Sequence, residues 1–336
     1  MRLGLIARAD NRGLGQQTWA VQRQLHPAKT MVVDCPSMQP LQLHLDRFPG
    51  AQLVRGLPTE HDYATFLDGL DVVYTAETGY GDLWTPAQRM GVKTVLHANY
   101  EFLDTRDQPS VWAAPSLWNF DRFPAGATHL PVPIETDRFP ITDKPLTASR
   151  FLHVVGRPAV HDRNGTLDLL QALQHVTANI TVTVTCQQPQ YVAGLIHDYQ
   201  IRTPSNVTLI LDCIDHVDYW TVYNNQHCLI LPRRFGGLCL PANEAIGAGI
   251  PVIMPDINPN NTWLPKAWLT DSMMSGDFRA KQHIVVYRTD PEVLAAKIDQ
   301  LATDEDFYGH STWKASELRK CLSWETLTPV YEEIFN

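Results

Sequence analysis

The sequence predicts an α/β protein made of two parallel-sheet domains. Apolar runs of strand length alternate with helical stretches, the alternation pauses once at a proline-bearing segment, and it then restarts with a similar rhythm. At 336 residues the chain is long for one core and natural for two domains of ordinary size. A hydrophobic share of 44% and a charged share of 19% exclude a disordered or fibrous chain.

In the first half, Leu3–Ala7 reads as a buried strand, followed by a polar, glycine-bearing loop over Asp10–Gly15 and a helical stretch over Gln16–Leu25. Thr30–Asp34, Asp71–Ala76, Lys93–His97 and Val111–Pro115 read as further strands. Four prolines between Pro131 and Leu146 mark an inter-domain connection. Beyond it, Phe151–Val155, Ile180–Thr185, Val207–Leu211, Cys228–Leu231 and Pro251–Met254 are expected strands. Gly165–Val176 and a segment beginning near Pro241 are expected helices. The expected domains are 1–140 and 146–322. A terminal helix over 323–336, with Trp324, Tyr331 and Phe335 on one face, is expected to pack back on the first.

Several function classes are disfavoured. No run of eighteen apolar residues exists, so no membrane span is expected, and the N-terminal stretch reads as a strand rather than a signal peptide. A cytoplasmic location follows as the expectation. Six scattered cysteines without a C-x-x-C pair read as reduced thiols. The net charge is −9, and both halves are acidic, which counts against tight binding of nucleic acid or anionic membrane. Gly13-Leu14-Gly15 follows the first strand, but Gln16-Gln17 breaks any dinucleotide fingerprint. The thirteen histidines show no zinc-ligand spacing, so no metal and no cofactor are expected.

The chemistry concentrates in LILPRRFGGLCLPANEAIGAGIPVIMPD, from Leu229 to Asp256. It reads as strand, glycine-rich turn, helix and second strand. Amides exposed by such a turn at a helix N-terminus form an anion site. Proline is tolerated in the first helical turn, where its missing N–H has no partner to lose.

This segment resembles the signature of retaining GT-B glycosyltransferases of the family-4-like group, through Gly237, Leu240, Pro241, Glu244, Ala245, Gly249, Pro251, Val252 and Ile253. HVVGRPAVHDRNG is similar to the family's G-R loop, and TDPEVLAAKIDQLATD, LPVPIETDRF and SWETLTPVYEEIF follow in the family's order. The resemblance implies two Rossmann-like domains facing a central cleft. It also implies transfer of a sugar from a nucleoside diphosphate sugar to an acceptor hydroxyl, retaining and metal-independent, with the donor held by the second domain. Two departures stand out. The family's first glutamate, which grips the donor sugar, is Gly236 here, and the lysine of its G-R loop is Asn164.

The resemblance implies donor contacts at Arg157, Arg163, Gly236, Gly237, Leu238, Cys239, Leu240 and Glu244, the last on the ribose. Arg157 is the diphosphate ligand, and Arg163 is the candidate second cation. Gly13 and Gly15 are placed by the donor phosphates or the acceptor. Bland alternatives stand beside these roles: a solvated arginine, a helix-start glutamate, turn glycines. His97, at a strand end, is either a catalytic residue lining the cleft or a structural histidine. Glu77 and Glu101 follow strand ends, where open sheets bind ligands, and either is a candidate to orient the acceptor. Tyr80, Trp84, Tyr100 and Trp118 divide between sugar stacking and core packing. Two further functional classes stay open, a sugar-nucleotide epimerase of the same architecture and a non-catalytic sugar-nucleotide-binding protein. The acceptor is open among small molecules, glycans, lipids, proteins and hydroxymethylated DNA bases, and the oligomeric state is open.

Overall fold

The computed structural model describes residues 1–35, 42–213 and 218–336. The chain divides into two compact units. One holds Met1–Val132 with Ala280–Gln282 and Trp324–Asn336; the other holds Pro133–Arg279 and His283–Ser323.

The first unit runs β1 (Leu3–Ala7), α1 (Gly13–Leu25), β2 (Lys29–Asp34), β3 (Gln52–Arg55), α2 (Glu60–Leu67), β4 (Val72–Ala76), α3 (Trp84–Met90), β5 (Lys93–His97), β6 (Val111–Ala114) and β7 (Thr128–His129). Its seven strands form a parallel sheet in the order β3-β2-β1-β4-β5-β6-β7. The inner strands β1 and β4 are wholly buried, which is why LGLIA and VVYTA are continuous apolar runs instead of alternating ones. Helix α2 starts at a capping box, where the Thr59 hydroxyl accepts from the Asp62 amide and the Asp62 carboxylate accepts from the Thr59 amide.

The second unit runs β8 (Arg150–Gly156), α4 (Thr166–Ala172), β9 (Ile180–Cys186), α5 (Pro189–Asp198), β10 (Val207–Asp212), β11 (Cys228–Ile230), α6 (Leu240–Gly247), β12 (Val252–Pro255), β13 (Leu269–Thr270), β14 (Ser272–Arg279), β15 (His283–Thr289), α7 (Pro291–Thr303) and α8 (Glu305–Cys321). Six strands form a parallel sheet in the order β10-β9-β8-β11-β12-β13, and β14 and β15 make a separate antiparallel hairpin. Helix α7 opens with Pro291 behind an Asp290 cap that accepts from the amides of Glu292 and Val293. Helix α8 carries Glu305 and Asp306 at its start and Arg319 and Lys320 at its end, each sign matching the helix dipole.

The proline-rich connection is not free chain. The Ile134 amide donates to the Leu322 carbonyl, the Arg319 guanidinium donates to the carbonyls of Thr136 and Phe139, and Ile134 and Phe139 enter the second unit's core. The units therefore part at Val132/Pro133. Expected helix 165–176 ends sooner, at Ala172. The hairpin β14–β15 was not legible as a pattern, because β14 buries neither face and shows no apolar alternation.

The last helix, α9 (Trp324–Phe335), belongs to the first unit. Trp324, Tyr331 and Phe335 join its core with Leu5, Val72 and Tyr74, and the Tyr331 hydroxyl donates to the Pro131 carbonyl at 3.1 Å. Spacing of four residues between Tyr331 and Phe335 puts both rings on one helical face. Phe335 is 3% exposed, so Phe335→Ala should lower the first unit's stability by about 3–5 kcal/mol, read as an earlier first transition in urea unfolding. Phe335→Leu should recover most of that loss.

Candidate functional site

Open parallel sheets bind ligands outside the carboxyl ends of their strands, where the strand order reverses. In the second unit that point lies between β8 and β11. It is flanked by the loop after β8, which carries Arg157 and Arg163, and the loop after β11, which carries Gly236 to Leu240.

The first loop is tightly built. The Asp162 carboxylate accepts from the amides of Thr166 and Leu167 and from the Tyr191 hydroxyl, which caps α4. The Asn164 side-chain amide donates to the carbonyls of Val154 and Val155 at 3.0 and 3.1 Å. The place of the family's lysine is thus taken by a backbone brace, not by a charge. Arg163 stacks its guanidinium over Phe235 at 4.9 Å. Arg157 is half-buried and makes no hydrogen bond or ion pair among the described residues.

The second loop explains the missing glutamate. Arg233 is buried at 6% exposure and folds beneath the turn, its Nε donating to the Phe235 carbonyl at 3.0 Å and its Nη2 to the Leu238 carbonyl at 3.2 Å. Gly236 adopts φ +123°, and a Cβ there would run into the Arg233 guanidinium. The present placement of the Arg233 guanidinium therefore needs a residue without a Cβ at 236. In a trans peptide the C=O and N–H point opposite ways. With the carbonyls of 235 and 238 turned toward Arg233, the amides of Gly236 and Cys239 are turned away from it. The amides of Gly236, Gly237 and Cys239 bond no acceptor among the described residues, although all three residues are buried. Uncovered buried N–H groups beside a helix N-terminus form a cradle for an anion. Leu238 and Leu240 lie half-buried on either side of Cys239.

Arg234 ties both loops to the hairpin. Its amide donates to the Arg163 carbonyl at 2.8 Å, its Nη1 to the His161 carbonyl, its Nε to the Tyr287 carbonyl and its Nη2 to the Ser275 hydroxyl. Phe278 of β14 packs on His161 and Phe235, with ring centroids 4.5 and 5.0 Å apart.

Glu244 sits on α6 at 9% exposure and is already engaged. Its Oε2 accepts from the Tyr223 hydroxyl at 2.6 Å, and Tyr219 also hydrogen-bonds it. Burial raises its pKa, against the opposing pull of Tyr223, Tyr219 and Arg138. Removing this carboxylate strands the buried Tyr223 hydroxyl and takes a partner from Tyr219, so Glu244→Ala perturbs folding as well as any ligand contact.

In the first unit the strand order reverses between β1 and β4. Gly13 and Gly15 open α1 there, and a Cβ on Gly15 would collide with the Asp10 carbonyl, so the tight turn requires glycine. Glu77 follows β4 at φ +66° and accepts from the Asn99 side chain at 3.2 Å. Glu101 lies on the turn Tyr100–Phe102 after β5, 6% exposed. Arg8 and Asp10, which no sequence motif marked, stand at the same edge. Tyr80, Trp84, Tyr100 and Trp118 are all buried, Trp84 donating to Asp107 and Tyr100 meeting Trp118 edge-on.

His97 needs correction as a catalytic candidate. It is 1% exposed, and both ring nitrogens are used. Nε2 faces the Leu130 carbonyl at 2.7 Å and must donate, because a carbonyl can only accept; Nδ1 then accepts from the Tyr74 hydroxyl at 2.7 Å and from Gln17 at 3.1 Å. Burial depresses its pKa to about 3, so the ring stays neutral and structural. Among the described residues, no three His, Cys, Asp or Glu side chains are grouped to hold a metal, and no helix is long and apolar enough to cross a membrane.

No family model and no curated protein matches the chain. Solved structures do. Sucrose-phosphate synthase from Thermosynechococcus elongatus matches with TM-score 0.66 at 17% identity, over 100% of this chain and 99% of that one. HepE from Anabaena, in complex with UDP and glucose, matches with TM-score 0.72 at 11% identity, over 99% of both chains. A trehalose-6-phosphate protein from E. coli, bound with UDP-2-fluoro glucose, matches with TM-score 0.62 at 10% identity, over 100% and 99%. The chain has the GT-B fold these proteins share.

Two outcomes test this geometry. Gly236→Ala and Arg233→Ala should each weaken pyrophosphate binding about tenfold by calorimetry, the worth of one anchoring hydrogen bond, and the double variant should be no worse than the worse single. Additive losses would mean that the two residues act separately. For His97, the unfolded ring gains a proton below about 6.5 and the folded ring only near 3. Stability should therefore fall with pH across that window by about 1.4 kcal/mol per unit, and His97→Gln should flatten this slope in urea unfolding.

Proposed function

We propose that the chain transfers a sugar from a nucleoside diphosphate sugar to an acceptor hydroxyl, with the donor diphosphate held in the crevice between β8 and β11. The carrying observation is chemical: three buried amides and the Arg157 guanidinium, all without partners among the described residues, lie on the two loops that flank the edge where such sheets bind ligands. Sequence resemblance at the same loop and the uridine nucleotides bound by structural neighbours support a UDP-sugar as the first donor to try.

In this reading the bond from the anomeric carbon to the diphosphate oxygen breaks, its electron pair staying on the phosphate. Arg157, the loop amides and Arg163 stabilise the growing charge, work that a protein cation and aligned dipoles perform without a metal. The acceptor oxygen bonds the anomeric carbon on the face the phosphate leaves, and the acceptor proton passes to the departing phosphate oxygen. Retention follows from that front-face path. Glu244, braced by Tyr223 and Tyr219, accepts from the ribose hydroxyls in this reading. The acceptor occupies the first unit's crevice between β1 and β4.

Thermal unfolding with UDP, GDP, ADP and dTDP is the direct test. One nucleotide should raise Tm by several degrees at a hundredfold excess over Kd, and Arg157→Ala should abolish most of that shift while leaving the ligand-free Tm unchanged. No shift with any nucleotide or with its sugar conjugates would refute the donor site. An inverted anomeric signal in the product's NMR spectrum would refute retention.

A further inference from the structure

The loop after β8 that carries Arg157 and Arg163 holds an unfavourable backbone. His161 adopts φ +57° and ψ +28°, and Asp162 beside it adopts φ +47°. Consecutive non-glycine residues in the left-handed region are uncommon, because each Cβ crowds the backbone there. Such a pair persists only where its surroundings impose it. Asp162 is tied down by its own carboxylate, which accepts from the amides of Thr166 and Leu167 and from the Tyr191 hydroxyl. His161 is exposed, and its ring is met by Phe278 of β14, stacked at 4.5 Å with 27° between the planes.

Phe278 reaches the loop because of a bulge. Across the hairpin Met274 pairs with Tyr287 and Gly276 with Val286, so Ser275 is one residue more than the partner strand matches. An extra residue reverses the face that every later side chain takes. With it, Phe278 lies opposite Ile284 and shares a face with Ile284 and Val286, both buried. On that face the ring also meets Phe235 at 5.0 Å, and Phe235 in turn carries the Arg163 guanidinium at 4.9 Å. The contacts run from the left-handed residue through the hairpin to a cation of the same loop. An ion pair between Arg288 of β15 and Asp168 of α4, at 3.1 Å, anchors the hairpin behind them.

Resting on the donor site proposed above, we infer that Phe278 is a positioning residue for it. By stacking on His161, Phe278 holds the β8 loop in its left-handed form and so sets where Arg157 and Arg163 meet the donor's phosphates. The hairpin β14–β15 is thereby a working part of the donor site, although it is no part of the sheet that builds the crevice. The flat ring is what counts. Leucine in its place keeps apolar contact with Phe235 but offers no face to an imidazole.

The test uses the full chain with Phe278→Leu, Phe278→Tyr and His161→Ala, and two readouts. Hydrogen exchange over 157–166 in the ligand-free protein reports the loop, and calorimetry with UDP reports the site. Phe278→Leu should speed exchange of the loop about tenfold and raise the Kd for UDP about tenfold, with β9 and α7 unchanged, and Phe278→Tyr should match the wild type. Because Phe278 acts through His161, Phe278→Leu should change either readout less than about twofold in the His161→Ala background. Wild-type exchange in Phe278→Leu, or losses that multiply in the double variant, overturns the inference. Faster exchange with an unchanged Kd also overturns it, by leaving Phe278 a structural residue only. UDP that fails to bind the wild-type chain sinks the donor reading, while the exchange measurement needs no ligand and still decides whether Phe278 holds the loop.

Discussion

The second unit's site depends on a close approach of two backbones. Gly165, at φ +68°, lies so tightly against the Pro232 carbonyl that a Cβ would collide with it. That contact brings the loop after β8 onto the loop after β11, and the hydrogen bond from the Arg234 amide to the Arg163 carbonyl locks the pair. The candidate site's groups, from Arg157 and Arg163 to the amides of the 236–239 turn, are carried by the two loops that meet at this junction. A side chain at 165 would part the loops and enlarge the spacing between the cation-bearing loop and the amide-bearing one, whichever ligand they serve. The hairpin is drawn into the same junction, since all three guanidinium nitrogens of Arg234 bond either the β8 loop or the hairpin.

Charge placement follows a consistent logic. Arg157 makes no hydrogen bond or ion pair among the described residues, while Arg233 donates to the backbone carbonyls of Phe235 and Leu238. Arg233 contributes by orientation: it turns the loop's carbonyls inward and so turns amides outward. A carboxylate at 236, where the family has one, would have lain on top of that guanidinium at a φ unsuited to any side chain. Glycine at 236 thus leaves room for the buried arginine. The carboxylate of the family's signature has no counterpart at this turn.

The first unit spends its buried polar groups differently. His97, Tyr74 and Gln17 satisfy one another beneath α1, with Tyr331 and Phe335 of α9 packed against Tyr74. This network joins the helix that opens the ligand edge to the helix that closes the chain. A neutral histidine supplies both a donor and an acceptor there, which a methylene-rich side chain of similar size could not.

The amino-acid sequence by itself determined what depends on neighbours along the chain. Continuous apolar runs announced buried parallel strands, and the Gly236-Gly237 turn before Pro241 announced a turn leading into a helix, because periodicity and glycine and proline chemistry are local properties. The apolar face of the last helix was legible for the same reason. Tertiary structure alone decided what depends on side chains meeting across the chain. Whether His97 faces a crevice or the core is set by Leu130 and Tyr74. Asn164, read as a missing lysine, proved to be a brace only once Val154 and Val155 were seen beneath it. A strand end dictates where a residue begins; burial and partners, which the sheet's strand order brings together, dictate what its charge is free to do.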